Sequence, residues 1–196
     1  IAVIFIQTGV FMYKHCNTEE SARRQRQLEQ CLLELMKENS YHAITISQIC
    51  QQADVSRKSF YRYFDSKEGC LFALLDHIIM DCAAYYMPDQ KPDPTNVDLC
   101  IRIFEYWQQQ HTLLDVLEKN GMSLYLLQRI VRHIIEEEPD YVRCMGISPD
   151  YLMEHAVYSV GGLMGLILTW HHEGYPKSAA QMGQILHQLA SKEANP

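Results

Sequence analysis

Apolar residues recur along this chain at intervals of three and four, the spacing that gathers them on one face of an α-helix. Leu28, Cys31, Leu32, Leu35 and Met36 form the first such stripe. Asn17-Thr18-Glu19-Glu20 ahead of it has the pattern of a capping-box start, and Asn39-Ser40 marks its end. Thr45 suits the N-cap of a second helix with Ile46, Ile49, Cys50 and Ala53 inward, broken at Asp54. Ser56 caps a third helix to about Phe64, and Asp65 or Ser66 caps a fourth whose stripe is Leu71, Leu74, Leu75 and Ile78. Pro88, Pro92 and Pro94 interrupt the helical pattern. Thr95 then opens a fifth helix to about Gln110, and His111 to Asn120 is a short sixth closed by Gly121. Ser123 to Glu138 is a seventh, with Leu127, Ile130, Val131, Ile134 and Ile135 inward. Ser148-Pro149 starts an eighth that stops at Gly174, and a second capping box, Ser178 to Gln181, opens a ninth to about Lys192. Between Ala156 and Trp170 only Ser159 and Thr169 are polar, so the eighth helix is expected to be buried on most sides. That run is too short to span a bilayer. Alternating β-branched runs are scarce, and the predicted fold class is all-α.

Composition changes this picture little. A chain of 196 residues, 47% of them hydrophobic, suits one or two small helical domains with a real core. The seven cysteines are an odd set without a CxxC, so they read as reduced, buried, small hydrophobes in a cytoplasmic protein. His155, His171 and His172 raise the question of a metal. Adjacent residues on a helix point about 100° apart, and no Cys stands at ligand spacing, so neither a metal nor a cofactor is expected. No nucleophile–base motif or Gly-rich phosphate loop is present, and an enzyme is not expected. Residues 1–11 are apolar and uncharged, without the features of a signal peptide. They are set aside as a tag remnant, an upstream translation artefact or a packed arm before Met12, and no membrane association is expected.

Charge is divided unevenly. Residues 12–67 carry nine Lys and Arg against seven Asp and Glu, net +2; residues 68–196 carry eight against seventeen, net −9. A basic segment before an acidic remainder suggests a nucleic-acid-binding end and a different task elsewhere. The cations Arg57, Lys58, Arg62 and Lys67 fall on one short element inside residues 43–67, AITISQICQQADVSRKSFYRYFDSK. Helix, tight turn and second short helix make a helix-turn-helix, whose second helix enters the DNA major groove. The turn commonly holds Gly, because φ there is positive; Asp54 tolerates that region better than most residues. Arg57, Lys58 and Ser59 occupy the first turn, where side chains reach base edges, and Arg pairs well with guanine. Thr45, Ser47, Tyr61, Arg62, Tyr63 and Lys67 complete the expected DNA-binding set, holding phosphates and fixing register.

This segment resembles the tetracycline-repressor-like (TetR/AcrR) family of bacterial transcriptional regulators. The resemblance is carried by Thr45, Ile46, Ile49, Cys50, Ala53, Asp54, Val55, Ser56, Ser59, Phe60, Tyr61, Tyr63, Phe64, Lys67 and Glu68. Asp54 stands where the family has Gly, Cys50 where it has Ala, and Ser59 where it has Thr. The resemblance implies an N-terminal DNA-binding domain over 12–67, a fourth helix at 66–87 that connects, and an effector-binding and dimerisation domain over 68–196. It implies a homodimer on a palindromic double-stranded operator, released by a small-molecule effector. Pairing is then expected through the eighth and ninth helices at Gly161, Gly162, Gly165, Leu168 and Ile185. Phe104, Trp107, Met122, Tyr125, His133, Met153 and Tyr158 are the expected effector lining, which favours an apolar or aromatic ligand. The segment Trp170 to Met182 is also similar to regulators related to the dihydroxyacetone-kinase activators, which makes a coactivator working with a partner protein the alternative.

Overall fold

The structure, a computed structural model, describes residues 13–14, 16–86, 96–137 and 148–193. The described residues form nine α-helices, and the chain divides into two compact units, Ile1–Leu75 and Asp76–Pro196.

The first unit holds α1 (Glu19–Glu38), α2 (Ile46–Gln52), α3 (Arg57–Phe60) and the opening of α4 (Lys67–Tyr86). Thr18 caps α1 by accepting from the Ser21 amide at 3.2 Å. Ser21 stands where a capping box needs Glu or Gln, so the expected box is a simple cap here. Leu28, Leu32 and Met36 are fully buried, with Cys31 and Leu35 at the flanks. Thr45 and Gln48 form the reciprocal box instead: the Gln48 amide donates to Thr45 Oγ1 at 3.3 Å, and the Thr45 amide to Gln48 Oε1 at 2.8 Å. Ser66, rather than Asp65, caps α4 through the Gly69 amide at 3.0 Å. Cys70, Leu71, Leu74 and Leu75 of α4 are buried. They complete the core of the first unit, which is why the boundary falls inside α4 after Leu75. Burial pushes the Cys70 thiol well up and that of Cys82 up to about 12, so both stay protonated and unreactive at neutral pH.

The second unit holds α5 (Val97–Gln109), α6 (His111–Lys119), α7 (Ser123–Glu137), α8 (Leu152–His172) and α9 (Ala179–Glu193). Asn96 caps α5 through the Asp98 amide at 2.9 Å, and the expected cap Thr95 lies outside the described residues. Gly121 and Gly174 adopt φ of 66° and 72°, the left-handed geometry that ends α6 and α8. Ser178 and Gln181 form the expected capping box at α9, with bonds of 2.9 and 3.2 Å. Phe104 meets Trp170 edge-on at 5.4 Å in a core that includes Leu114, Leu117, Leu126 and Ile167. Asp76 and Arg129 join α4 to α7 through a two-pronged ion pair with little exposure of either side chain. Tyr106 adds a buried bond from its hydroxyl to the Ile78 carbonyl at 2.8 Å.

α9 packs on α5 with almost no gap. A methyl group at Gly183 would lie 2.6 Å from the Ile101 backbone, which cannot swing aside as a side chain could. Gly183→Ala is therefore expected to cost about 1–3 kcal/mol, read as a lower urea midpoint at unchanged slope. A midpoint equal to that of the parent would contradict the close approach.

α8 corrects two expectations. Ser148 and Pro149 open a 3-10 turn, Pro149–Tyr151, and the α-helix proper begins at Leu152. Tight turns of this kind are common at helix ends. Nor is α8 buried on most sides within the protomer. Its inward stripe is Ala156, Val160, Met164, Ile167, Trp170 and His171, while Val157, Tyr158, Gly162 and Gly165 are exposed. At 21 residues, α8 is long and apolar enough to cross a membrane by length and composition. Its inward stripe, packed on α7 and in ring contact with α5, lies in a protein core.

Candidate nucleic-acid interface

The angle between α2 and α3 is set by buried apolar side chains, Ile49, Ala53 and Phe60, with Val55 half-buried in the turn. Backbone bonds close that turn: Asp54 N to Gln51 O at 3.3 Å and Val55 N to Cys50 O at 3.0 Å. Gln27 of α1 caps its far side, donating to the Ala53 carbonyl at 3.2 Å. Asp54 adopts φ 52°, the left-handed conformation expected at that position. An L-residue with a Cβ is strained there by about 1–2 kcal/mol, less for Asp and not for Gly. Asp54→Gly is thus expected to be more stable than Asp54→Ala by about 1 kcal/mol in urea denaturation. Equal stability of the two variants would mean that the turn does not need a positive φ.

Ser56 caps α3 from the Ser59 amide at 3.1 Å. The regular helix ends at Phe60, not near Phe64 as the pattern predicts. From there the bonds shorten to three residues, Arg62 N to Ser59 O and Tyr63 N to Phe60 O, at 3.2 and 2.9 Å. The physical reason is that Tyr63 and Phe64 are both buried. A regular helix would splay these neighbours by about 100°. Phe64 packs on Phe60 at 5.1 Å, and its backbone pairs with that of Tyr13.

The result sorts the expected contact residues into two groups. Thr45, Ser47, Arg57, Lys58, Tyr61 and Arg62 are exposed, with Ser59 half-buried at the start of α3. Tyr63 and Lys67 turn inward. The Tyr61 and Tyr63 pair is split, since Tyr63 is only 7% exposed and its carbonyl accepts from the Lys14 amide at 2.9 Å. Lys67 Nζ donates to the carbonyls of Tyr41 and Ile44, both at 2.6 Å, and sits 4.3 Å from the centre of the Tyr41 ring. Its partial burial lowers the pKa of the ammonium. Lys67 thus locks the segment before α2 to the start of α4.

A cleft of about 240 Å³ opens beside α3, lined by Glu20, Ser21, Arg24 and Leu28 of α1, by Val55, and by Ser59, Arg62 and Tyr63. The sequence reading assigned α1 no part in the interface, although Arg23, Arg24 and Arg26 signal it.

In the second unit the expected effector residues do not share one environment. Phe104, Trp107 and Met122 are buried in the core; Tyr125 and His133 are half-buried; Met153 and Tyr158 are exposed on α8. None of the seven lines the cleft beside α3. Of the residues expected to pair two protomers, Gly162 and Gly165 are exposed, while Gly161, Leu168 and Ile185 are half-exposed. A methyl group at Gly161, Gly162 or Gly165 would meet nothing within 4 Å.

Comparison with known proteins places this geometry in a family. The family model described as bacterial regulatory proteins, tetR family, matches residues 32–74, which span the end of α1, all of α2 and α3 and the opening of α4. The HTH-type dhaKLM operon transcriptional activator DhaS of Lactococcus lactis subsp. lactis (strain IL1403) is 28% identical over 116 residues, 57% of this chain and 59% of that protein's length. A TetR-family regulator from Syntrophomonas wolfei str. Goettingen superposes with a TM-score of 0.63 at 17% identity, covering 89% of this chain and 96% of the other. The dihydroxyacetone kinase operon activator DhaS superposes with a TM-score of 0.53 at 17% identity, covering 87% and 94%. The superpositions establish a shared fold. Together with the matched helix-turn-helix, they identify the chain as a member of the TetR family of bacterial transcriptional regulators.

Proposed function

We propose that this protein is a homodimeric, cytoplasmic repressor that grips a palindromic double-stranded operator through α3 and lets go when a small, largely apolar or aromatic effector binds the second unit. The observation that carries the DNA reading is the exposed pair Arg57 and Lys58 at the start of a helix whose angle is fixed by buried neighbours. The first turn of a recognition helix is the part that meets base edges. Thr45, Ser47, Ser59, Tyr61 and Arg62 surround it as phosphate contacts, with Tyr63 and Lys67 holding the frame beneath. Two protomers related by a two-fold axis would present their α3 helices one DNA turn apart, about 34–36 Å. The effector acts by binding the DNA-free state better, with a coupling of about 1–3 kcal/mol. Its lining is drawn from Phe104, Trp107, Met122, Tyr125, His133, Met153 and Tyr158. Its role is binding, without catalysis.

The test is fluorescence anisotropy with duplex from the promoter region beside the protein's own gene. Salt-dependent retention that exceeds retention on random duplex is expected; equal retention on both would reject the proposal. A second reading is favoured by the likeness to two dihydroxyacetone-kinase operon activators. In that reading the second unit binds a partner protein. A stoichiometric partner recovered with the native protein, and no release of DNA by small molecules, would select it.

A further inference from the structure

We infer that the cleft between the start of α1 and the end of α3 is a second grip on the DNA backbone, in which Arg24 and Arg62 hold one phosphate. The inference rests on the operator-binding reading of α3 and extends it to residues of α1. The cleft has an apolar floor, Leu28 and Val55, with the hydroxyls of Ser21 and Ser59 and two guanidinium groups around it. A guanidinium fork matches the oxygens of a phosphate. Among the described residues no acid pairs with Arg62. Arg24 bonds Glu20 at 3.1 Å, but both side chains are more than half exposed, at 51% and 68%. A surface pair of that kind is weak, and a phosphate can replace it.

The edge is also rigid. The turn that carries Arg62 is tied to the strand before α1 by Lys14 N to Tyr63 O at 2.9 Å, and by the pairing of Tyr13 with Phe64. Gln25 of α1 then holds that strand through the Lys14 carbonyl at 3.1 Å. Arg24 and Arg62 are therefore presented from one braced surface, immediately beyond the helix that enters the groove. DNA strands flank that groove on both sides, so cations beside the recognition helix meet backbone rather than bases.

The salt dependence of binding to the operator duplex tests this. Arg24→Gln is expected to weaken binding to operator and to random duplex alike, by roughly tenfold near 0.1 M salt, and to reduce the slope of log affinity against log salt by about 1. Preference for the operator should stay unchanged, as should the circular-dichroism melt. Glu20→Gln frees Arg24 and removes a negative charge from the cleft, so it should tighten binding to both duplexes. Arg57→Ala with Lys58→Ala, measured in parallel, should remove the operator preference. If that double variant loses the preference while Arg24→Gln keeps parental affinity and slope, the second grip is overturned and the reading of α3 stands. If neither variant changes binding, the reading of α3 falls as well.

Discussion

Replacing Arg57 and Lys58 together with Ala is expected to abolish preferential retention of the operator while leaving the protein folded and dimeric. Both side chains lie in solvent at the start of α3, and nothing in the core of the first unit depends on them. The cap of α3 comes from Ser56 and its anchor is Phe60, neither of which changes. A well-made contact to a base edge discriminates by about 1–3 kcal/mol. A symmetric dimer loses each contact twice, so the operator should bind no better than random duplex. Anisotropy with both duplexes reads the outcome, and an intact preference would remove α3 as the reading element. Lys67→Ala is a poor substitute for this test. Its ammonium holds the Tyr41 and Ile44 carbonyls. Losing it should lower stability and disturb α2, so weaker DNA binding would follow whether or not Lys67 touches a phosphate.

The contrast between those residues shows what a sequence discloses. Caps and turns are local, and the positive φ at Asp54, Gly121 and Gly174 and the capping box at Ser178 follow from neighbours within a few positions. The partners of Lys67 lie 26 and 23 residues away, and no short-range pattern announces them. Tyr63 resembles Tyr61 in the sequence, but the core needs it beside Phe64, and that demand ends α3 early. Arg24 reads as an ordinary solvated charge until tertiary packing sets it beside Arg62. The effector lining is the least legible part. An aromatic side chain on a helix looks the same whether it fills a core, as Phe104 does, or faces solvent, as Tyr158 does. The breadth of apolar character on α8 is likewise silent about what covers its outer face. The expectation of burial on most sides failed for a single protomer, and that failure points to a second copy.

Gly165→Leu is expected to convert the dimer into a folded monomer. The outer face of α8 exposes Val157 and Tyr158 beside Gly162 and Gly165, and α9 adds Leu189 at 49% exposure. Contiguous apolar surface of this kind commonly marks an interaction site. Within the protomer Gly165 is open to solvent, with nothing within 4 Å of an added methyl group, so a Leu there clashes with none of its own chain. Leu also favours a helix over Gly by about 1 kcal/mol, so the protomer should fold at least as well as before. Between two protomers the effect reverses. Packed helix axes lie about 8–10 Å apart, and a face of glycines allows the near end of that range, which a Leu side chain would hold open. Sedimentation should then show the parent as a dimer and the variant as a monomer. The melting temperature should rise with protein concentration for the parent and not for the variant. DNA retention should fall too, since one α3 reads only half of a palindrome. A variant that remains dimeric would place the pairing surface away from α8. A variant that unfolds would mean that Gly165 faces its own core, against the open space around it.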